Sequence, residues 1–300
     1  MKICRFGENR YGVVRDGNVY DITEYVQNAV VSTRLQRGDA AIANFPEIVK
    51  LVEKAKLGAP VGRADAMAFL APVINPTKIV AAPVNYEAHI TESEADPGIT
   101  FNHAVARIDK AGLFLKASSS LVGPGEGVAV RFPDRRTDHE IELGVVIGRD
   151  CSDVSEANAL DVIAGYAIAL DMSVRGPDDR SFRKSIDSYS VLGPWLVTPD
   201  EIPDPDSVDF TLKVNGEVKQ QSNTRKLIFK TRKLIAWASR WYTLYPGDVL
   251  MTGTPEGVGP VGPGDVMDCE MQYIGSMKVA VRAAAVMSLG SSAATEPIPG

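Results

Sequence analysis

Glu140 and Glu142 stand one residue apart in the run Asp138-His139-Glu140-Ile141-Glu142-Leu143-Gly144-Val145-Val146-Ile147-Gly148. An extended chain alternates its side chains, so the two carboxylates share one face while Ile141, Leu143 and Val145 share the other. Carboxylates held that close repel. Burying them together requires a cation, a shared proton or access to water, and the apolar run that follows disfavours water. A third acid, Asp171, closes a second apolar run from Val162 to Leu170, where a strand would end at a site. Three carboxylates with no Cys or His pair nearby make an all-oxygen donor set, which suits Mg²⁺ or Mn²⁺ rather than Zn²⁺.

Next in chemical interest is Asn85-Tyr86-Glu87-Ala88-His89-Ile90-Thr91-Glu92, which follows the apolar stretch Lys78 to Ala82 and Pro83. On a helix starting there, His89 and Glu92 lie three apart on one face, and a carboxylate beside an imidazole orients it and raises its basicity. That is the pairing a general base needs; an incidental His on a solvated helix face fits the spacing equally well. Lys116, inside Phe114-Leu115-Lys116-Ala117, and Lys184, inside Arg183-Lys184-Ser185, either reach a buried anion or extend to the surface, and for a single Lys the surface is the default. The stretch Tyr245 to Gly259 combines a turn, a strand and a Gly-rich loop whose backbone amides could hold an anion. Gly257, Gly259 and Gly262 match dinucleotide-loop spacing, but Pro260 and Pro263 follow where a helix would have to start.

The elements that must position these residues are mostly short strands. Residues 1–22 read as small antiparallel hairpins broken at Gly7, Gly12 and Gly17, and 40–57 carry helical spacing in Ile42, Phe45, Ile48, Val49, Leu51 and Val52. Extended stretches are expected at 78–82, 112–117, 127–131, 139–148, 162–170, 190–197, 208–214, 248–252, 266–273 and 276–283. A helix is expected at 224–243, with Ser222, Asn223 and Thr224 as candidate caps. So many strands with so little helix exclude a doubly wound α/β sheet, and no repeat period suggests a solenoid. With 300 residues, 45% of them hydrophobic, the chain divides into a small N-terminal domain at 1–72, a catalytic domain at 73–288 and a flexible tail at 289–300.

The net charge of −6 comes from mixed signs with no Lys/Arg block, which argues against nucleic acid or an anionic membrane as partner. Cys4, Cys151 and Cys269 are far apart and form no ligand motif, as in a reducing cytoplasm. No apolar leader core opens the chain and no run approaches the ~20 apolar residues of a membrane span. A soluble, unprocessed, cytoplasmic protein is expected.

Taken in order over residues 78 to 283, these segments resemble the fumarylacetoacetate hydrolase family, in the branch with a small N-terminal domain. The matching stretches are Asn85-Tyr86 with His89 and Glu92, Phe114-Leu115-Lys116, the Glu140/Glu142 strand, Ala169 to Ser173, Lys184 through Gly193-Pro194, Val214 to Glu217, and Pro246-Gly247-Asp248 to Gly259. The resemblance implies a β-rich, mixed α+β fold, a mixed β-sheet roll with a small N-terminal α/β domain. It implies Mg²⁺ or Mn²⁺ on Glu140, Glu142 and Asp171, binding a 2-oxo acid by its 2-oxo and carboxylate oxygens, with reaction passing through an enolate. Lys184 and Lys116 become partners of the enolate or the substrate's anionic end, and Tyr86, Gly253 and Thr254 substrate contacts. His89 and Glu92 would activate the water that splits the C3–C4 bond of an acylpyruvate-type 2,4-dioxo acid. The same metal site could instead serve an oxaloacetate-type decarboxylase or a 2-hydroxy-dienoate isomerase or hydratase, and a silent 2-oxo acid binding protein would keep the shape alone. Family relatives commonly form homodimers. One departure concerns the 21 residues 93–113, longer than the compact lid of shorter relatives, where His103 is a second possible substrate contact.

Overall fold

The computed structural model describes residues 1–101, 104, 105 and 107–285; His103 and the 289–300 tail lie outside the described residues. Each stretch expected to be extended between 78 and 283 contains a strand. The main sheet has 12 strands, and its centre is Ser190–Val197, Ile163–Asp171, Ile141–Ile147 and Val249–Met251 in that order. Beyond Val249–Met251 it continues to Ile79–Ala81, in parallel, and to Phe114–Lys116. At its other side Lys2–Phe6 pairs with Ser190–Val197, Lys2 opposite Val197, so the N-terminal hairpins extend the same sheet. A five-stranded sheet, from Glu217–Asn223 through Asp209–Val214, Val266–Met271 and Gly275–Ala283 to Val128–Val130, packs against it, and a three-stranded sheet joins Thr137–His139 to Ser173–Val174 and Gly259–Pro260.

Apolar side chains leave the two faces of the central strands toward two separate cores. Leu143, Val145, Ile168 and Leu170 meet Phe210, Leu212, Met267 and Val279 of the second sheet. Val146, Ala167, Ala169 and Leu192 meet Ile42, Phe45, Ile48 and Val52 from the N-terminal helices. Fully burying one such Ile or Phe contributes about 1.5–3 kcal/mol. Both faces are covered, by different partners, so these strands read as apolar runs, and the acids occupy the face that the N-terminal helices share.

Two helices differ from expectation. The 40–57 segment forms Ala40–Ala43 and Phe45–Lys54, interrupted at Asn44, where Pro46 starts a new first turn. The 224–243 segment forms a 3-10 turn at Thr224–Lys226 and an α-helix only from Thr231 to Trp241. Asn223 caps the turn, accepting from Arg225 N at 2.8 Å, while the helix's Thr231 N donates to the distant Asp206 Oδ1 at 2.9 Å. Between them the backbone is claimed by Asn85: Ile228 N donates to Asn85 O and Phe229 N to Asn85 Oδ1, both at 2.8 Å, and Leu227 bridges Tyr86. A tertiary contact with the segment that precedes His89 therefore keeps 227–229 out of the helix. No helix among the described residues is long and apolar enough to cross a membrane.

Candidate active site

Strand register brings the acids together. Ile141 pairs with Leu170 and Glu142 with Ala169, so Glu140 lies across from Asp171, whose N donates to Glu140 O at 2.9 Å. Glu142 sits two residues along on the same face. One carboxylate oxygen from each of the three lies within 4.8 Å of the others, and all three residues are buried.

Two lysines and an arginine hold two of the acids. Lys184 Nζ donates to Glu140 Oε2 at 2.6 Å and Asp171 Oδ2 at 2.8 Å. Lys116 Nζ donates to Asp171 Oδ1 and, at 2.7 Å, to Tyr189 O. Arg175 Nη2 and Ser173 Oγ both donate to Glu140 Oε1 at 2.9 Å. Burial alone would push the Glu140 carboxyl up, but Lys184 and Arg175 outweigh it and hold it below the usual carboxylate range. Glu142 has no such cation. Its Oε2 accepts from Gly253 N at 2.6 Å, while its buried Oε1 has no partner among the described residues. Burial, then Asp171 and Glu140, raise its carboxyl well above the ordinary value. An orphaned carboxylate oxygen beside two other hard oxygen donors is what a Mg²⁺- or Mn²⁺-type ion requires, so the residues fit such an ion.

His89 and Glu92 occupy the helix Glu87–Ala95 as the spacing implied, with His89 Nδ1 and Glu92 Oε2 2.8 Å apart. Glu92 Oε1 accepts from Gly257 N at 2.8 Å. The Gly-rich loop does bind anions, but in both cases the anion is a carboxylate of this chain, Glu142 at Gly253 and Glu92 at Gly257. Both glycines have positive φ, +103° and +92°, and a Cβ on Gly257 would lie 2.0 Å from Lys219 O. With the acid accepting from Nδ1, the imidazole keeps Nε2 as its free base.

A cavity of about 340 Å³ receives His89, Glu140, Glu142, Lys184 and Thr254 together. Thr254 Oγ1 donates to Ile141 O at 2.9 Å and accepts from Gln220 Nε2 at 2.8 Å. Gln220 Oε1 in turn accepts from Ile141 N and from His139 Nδ1, each at 3.1 Å. Three residues expected at the substrate stand behind the cavity wall: Tyr86 is buried in its bridge to Leu227, Gly253 supports Glu142, and Lys116 supports Asp171.

Unforeseen in the sequence is a chain of ion pairs running to the lid. Arg175 Nε donates to Asp138 Oδ2 at 2.8 Å, Arg136 Nε to Asp138 Oδ1 at 2.7 Å, and Arg136 Nη1 to Asp96 Oδ2 at 2.9 Å. Asp96 also caps Pro97–Thr100 by accepting from Gly98 N at 2.8 Å, and Ile99 and Thr100 of that helix line the cavity. Each member alone reads as an ordinary surface charge.

Comparison with known proteins agrees with this architecture. The family model described as fumarylacetoacetate (FAA) hydrolase C-terminal matches residues 78–282. A maleylpyruvate hydrolase of Aquipseudomonas alcaligenes is 50% identical over 288 residues, 94% of this chain and 99% of the relative. A 2,4-didehydro-3-deoxy-L-rhamnonate hydrolase of Sphingomonas sp. (strain SKA58) is 37% identical over 295 residues, 93% and 95% of the two chains. Among solved structures, the maleylpyruvate hydrolase of Sphingobium sp. SYK-6 in complex with manganese(II) ion and pyruvate superposes with a TM-score of 0.78 at 35% identity, covering 95% of this chain and all of the other. With its β-rich sheets, its small N-terminal domain and its buried Glu/Glu/Asp cluster, the chain belongs to the fumarylacetoacetate hydrolase family.

Proposed function

We propose that this protein is a divalent-metal-dependent hydrolase that cleaves the C–C bond of acylpyruvate-type 2,4-dioxo acids, and that Mg²⁺ or Mn²⁺ is held by Glu140, Glu142 and Asp171. The observation that carries the reading is that His89, paired with Glu92, lines the same cavity as Glu140 and Glu142, whose carboxylates cluster with that of Asp171. A bound dication would supply stabilisation of the negative charge that develops on the 2-oxo side of the substrate. Lys184 holds the anionic oxygens of the pyruvate half, and Thr254 borders it. His89 Nε2 takes a proton from water as that water adds to the 4-acyl carbonyl, and Glu92 balances the imidazolium at Nδ1. The C3–C4 bond then breaks, its electron pair passing to the pyruvate half as an enolate, which takes a proton at C3. The products are pyruvate and a carboxylic acid. The name of the 50% identical relative makes maleylpyruvate the first substrate to assay.

The test strips the purified protein with a chelator, restores Mg²⁺ or Mn²⁺, and follows pyruvate release from a panel of acylpyruvates. Metal-dependent pyruvate release is expected, and replacing His89 with Ala should slow it roughly 10²–10⁴-fold while exchange of the C3 protons, read by NMR, continues. Exchange without pyruvate release in the unaltered protein would replace the hydrolase reading with an isomerase or tautomerase.

A further inference from the structure

Two guanidiniums in the cavity have no acid of their own among the described residues. Arg180 and Arg183 stand on the short helix Arg180–Arg183 and line the same cavity as His89, Glu140 and Lys184. The other cations there, and the acids nearest the arginines in sequence, already have partners. Arg175 is bonded to Asp138 and Glu140, and Lys184 to Glu140 and Asp171. Asp178 pairs with Arg135, and Asp179 caps the helix by accepting from Ser181 N at 2.8 Å. Arg180, by contrast, rests over the Phe114 ring, 5.5 Å from its centroid, and Arg183 has only a 3.4 Å contact from Nη1 to Val174 O. Among the described residues neither reaches a carboxylate within ion-pair distance.

Both side chains are half-buried, not extended into solvent. Burial lowers the affinity of each guanidinium for its proton; for Arg183 the like charge of Arg175 adds to this. A desolvated cation without a counter-ion is unfavourable unless something charged arrives to meet it. The forked, planar guanidinium matches a carboxylate by two parallel hydrogen bonds. The lid wall at Ile99 and Val105 of the same cavity carries no charge and suits the uncharged middle of an acyl chain.

On the basis of the hydrolase reading above, we infer that Arg180 and Arg183 receive a second carboxylate, at the far end of the acyl group, so that the enzyme selects dianionic acylpyruvates over neutral ones. The pyruvate end is held at the acid cluster and the distal acid at the arginine pair. Arg183 also borders an outer groove beside Arg131 and Arg282, so Arg180 carries the larger share.

The experiment measures kcat/KM for maleylpyruvate and for acetylpyruvate, which lacks the distal acid, on the same metal-loaded preparations of the unaltered protein, Arg180→Gln, Arg183→Gln, the double variant and Arg180→Lys. The ratio of the two values is independent of the fraction of protein that is correctly folded. In the unaltered protein it should favour the diacid, and Arg180→Gln should lower it roughly ten- to a hundredfold, mainly through KM, with a smaller fall for Arg183→Gln and partial recovery in Arg180→Lys. An unchanged ratio in the double variant would overturn the inference, as would an unaltered enzyme that prefers acetylpyruvate. Neither of those results touches the hydrolase reading, which fails only if no acylpyruvate yields pyruvate.

Discussion

At the scale of single residues, Glu142 is the site's point of tension. It is a buried carboxylate clustered with two more, Asp171 and Glu140, and one of its oxygens has no hydrogen-bond partner among the described residues. Replacing it with Gln removes the repulsion and supplies a donor. The metal-free Glu142→Gln protein is therefore expected to be more stable than the metal-free parent by about 1–3 kcal/mol, seen as a rise of a few degrees in Tm. Adding Mn²⁺ should raise the parent's Tm strongly and the variant's little, because a ligand that binds only the folded state stabilises in proportion to its occupancy. Equal metal-induced shifts would remove Glu142 from the ligand set. Glu140, Glu142 and Asp171 were legible in the sequence because a two-residue period and a strand end are local signals. Arg175 and Asp138 were not. Their bond joins residues 37 apart, and nothing in the neighbourhood of either announces the other.

At the scale of elements, the Gly-rich loop braces the groups proposed for catalysis. Gly257 N fixes Glu92 and Gly253 N fixes Glu142, so one loop sets the position of both the base pair and the acid cluster. Gly257→Ala would force a methyl group against Lys219 O at a positive φ. A destabilisation of about 1–3 kcal/mol is expected, together with a fall in kcat greater than the change in KM, since the base loses its orienting acid. Steady-state kinetics alongside thermal melts would separate the two, and a variant with unaltered kcat would show that the Glu92 anchor is dispensable. The sequence made the loop's anion affinity visible but not which anion it serves. The late start of the Thr231–Trp241 helix has the same origin: apolar spacing at Leu227 and Ile228 fits a helix, and only the distant Asn85 diverts that backbone.

At the scale of the whole molecule, the N-terminal hairpins and the catalytic strands form one sheet. Lys2–Phe6 covers the edge of Ser190–Val197, which itself pairs with the strand that delivers Asp171, Ser190 opposite Asp171. The helical core residues Ile42, Phe45 and Ile48 cover part of the same sheet face that carries the acids. Deleting residues 1–72 would uncover a long apolar edge and that face together, the conditions for edge-to-edge association. Such a deletion is expected to aggregate on expression, whereas a monodisperse, metal-binding fragment by size-exclusion chromatography would mean that the catalytic part folds alone. Composition and strand spacing made the β-rich architecture readable, but a boundary drawn at residue 72 carries no trace of strands that pair across it.

The acids that would hold the ion are set in the middle of this sheet, whereas Ile99, Thr100 and the two unpaired arginines are carried by short helices at its margin. On the proposed reading, chemistry and preference are written in separable parts of the chain. A lineage could trade one diet for another by editing the margin while the centre stays untouched, and grafting the 97–113 and 178–183 segments of a relative onto this scaffold would move the choice of acyl partner without rebuilding the reaction.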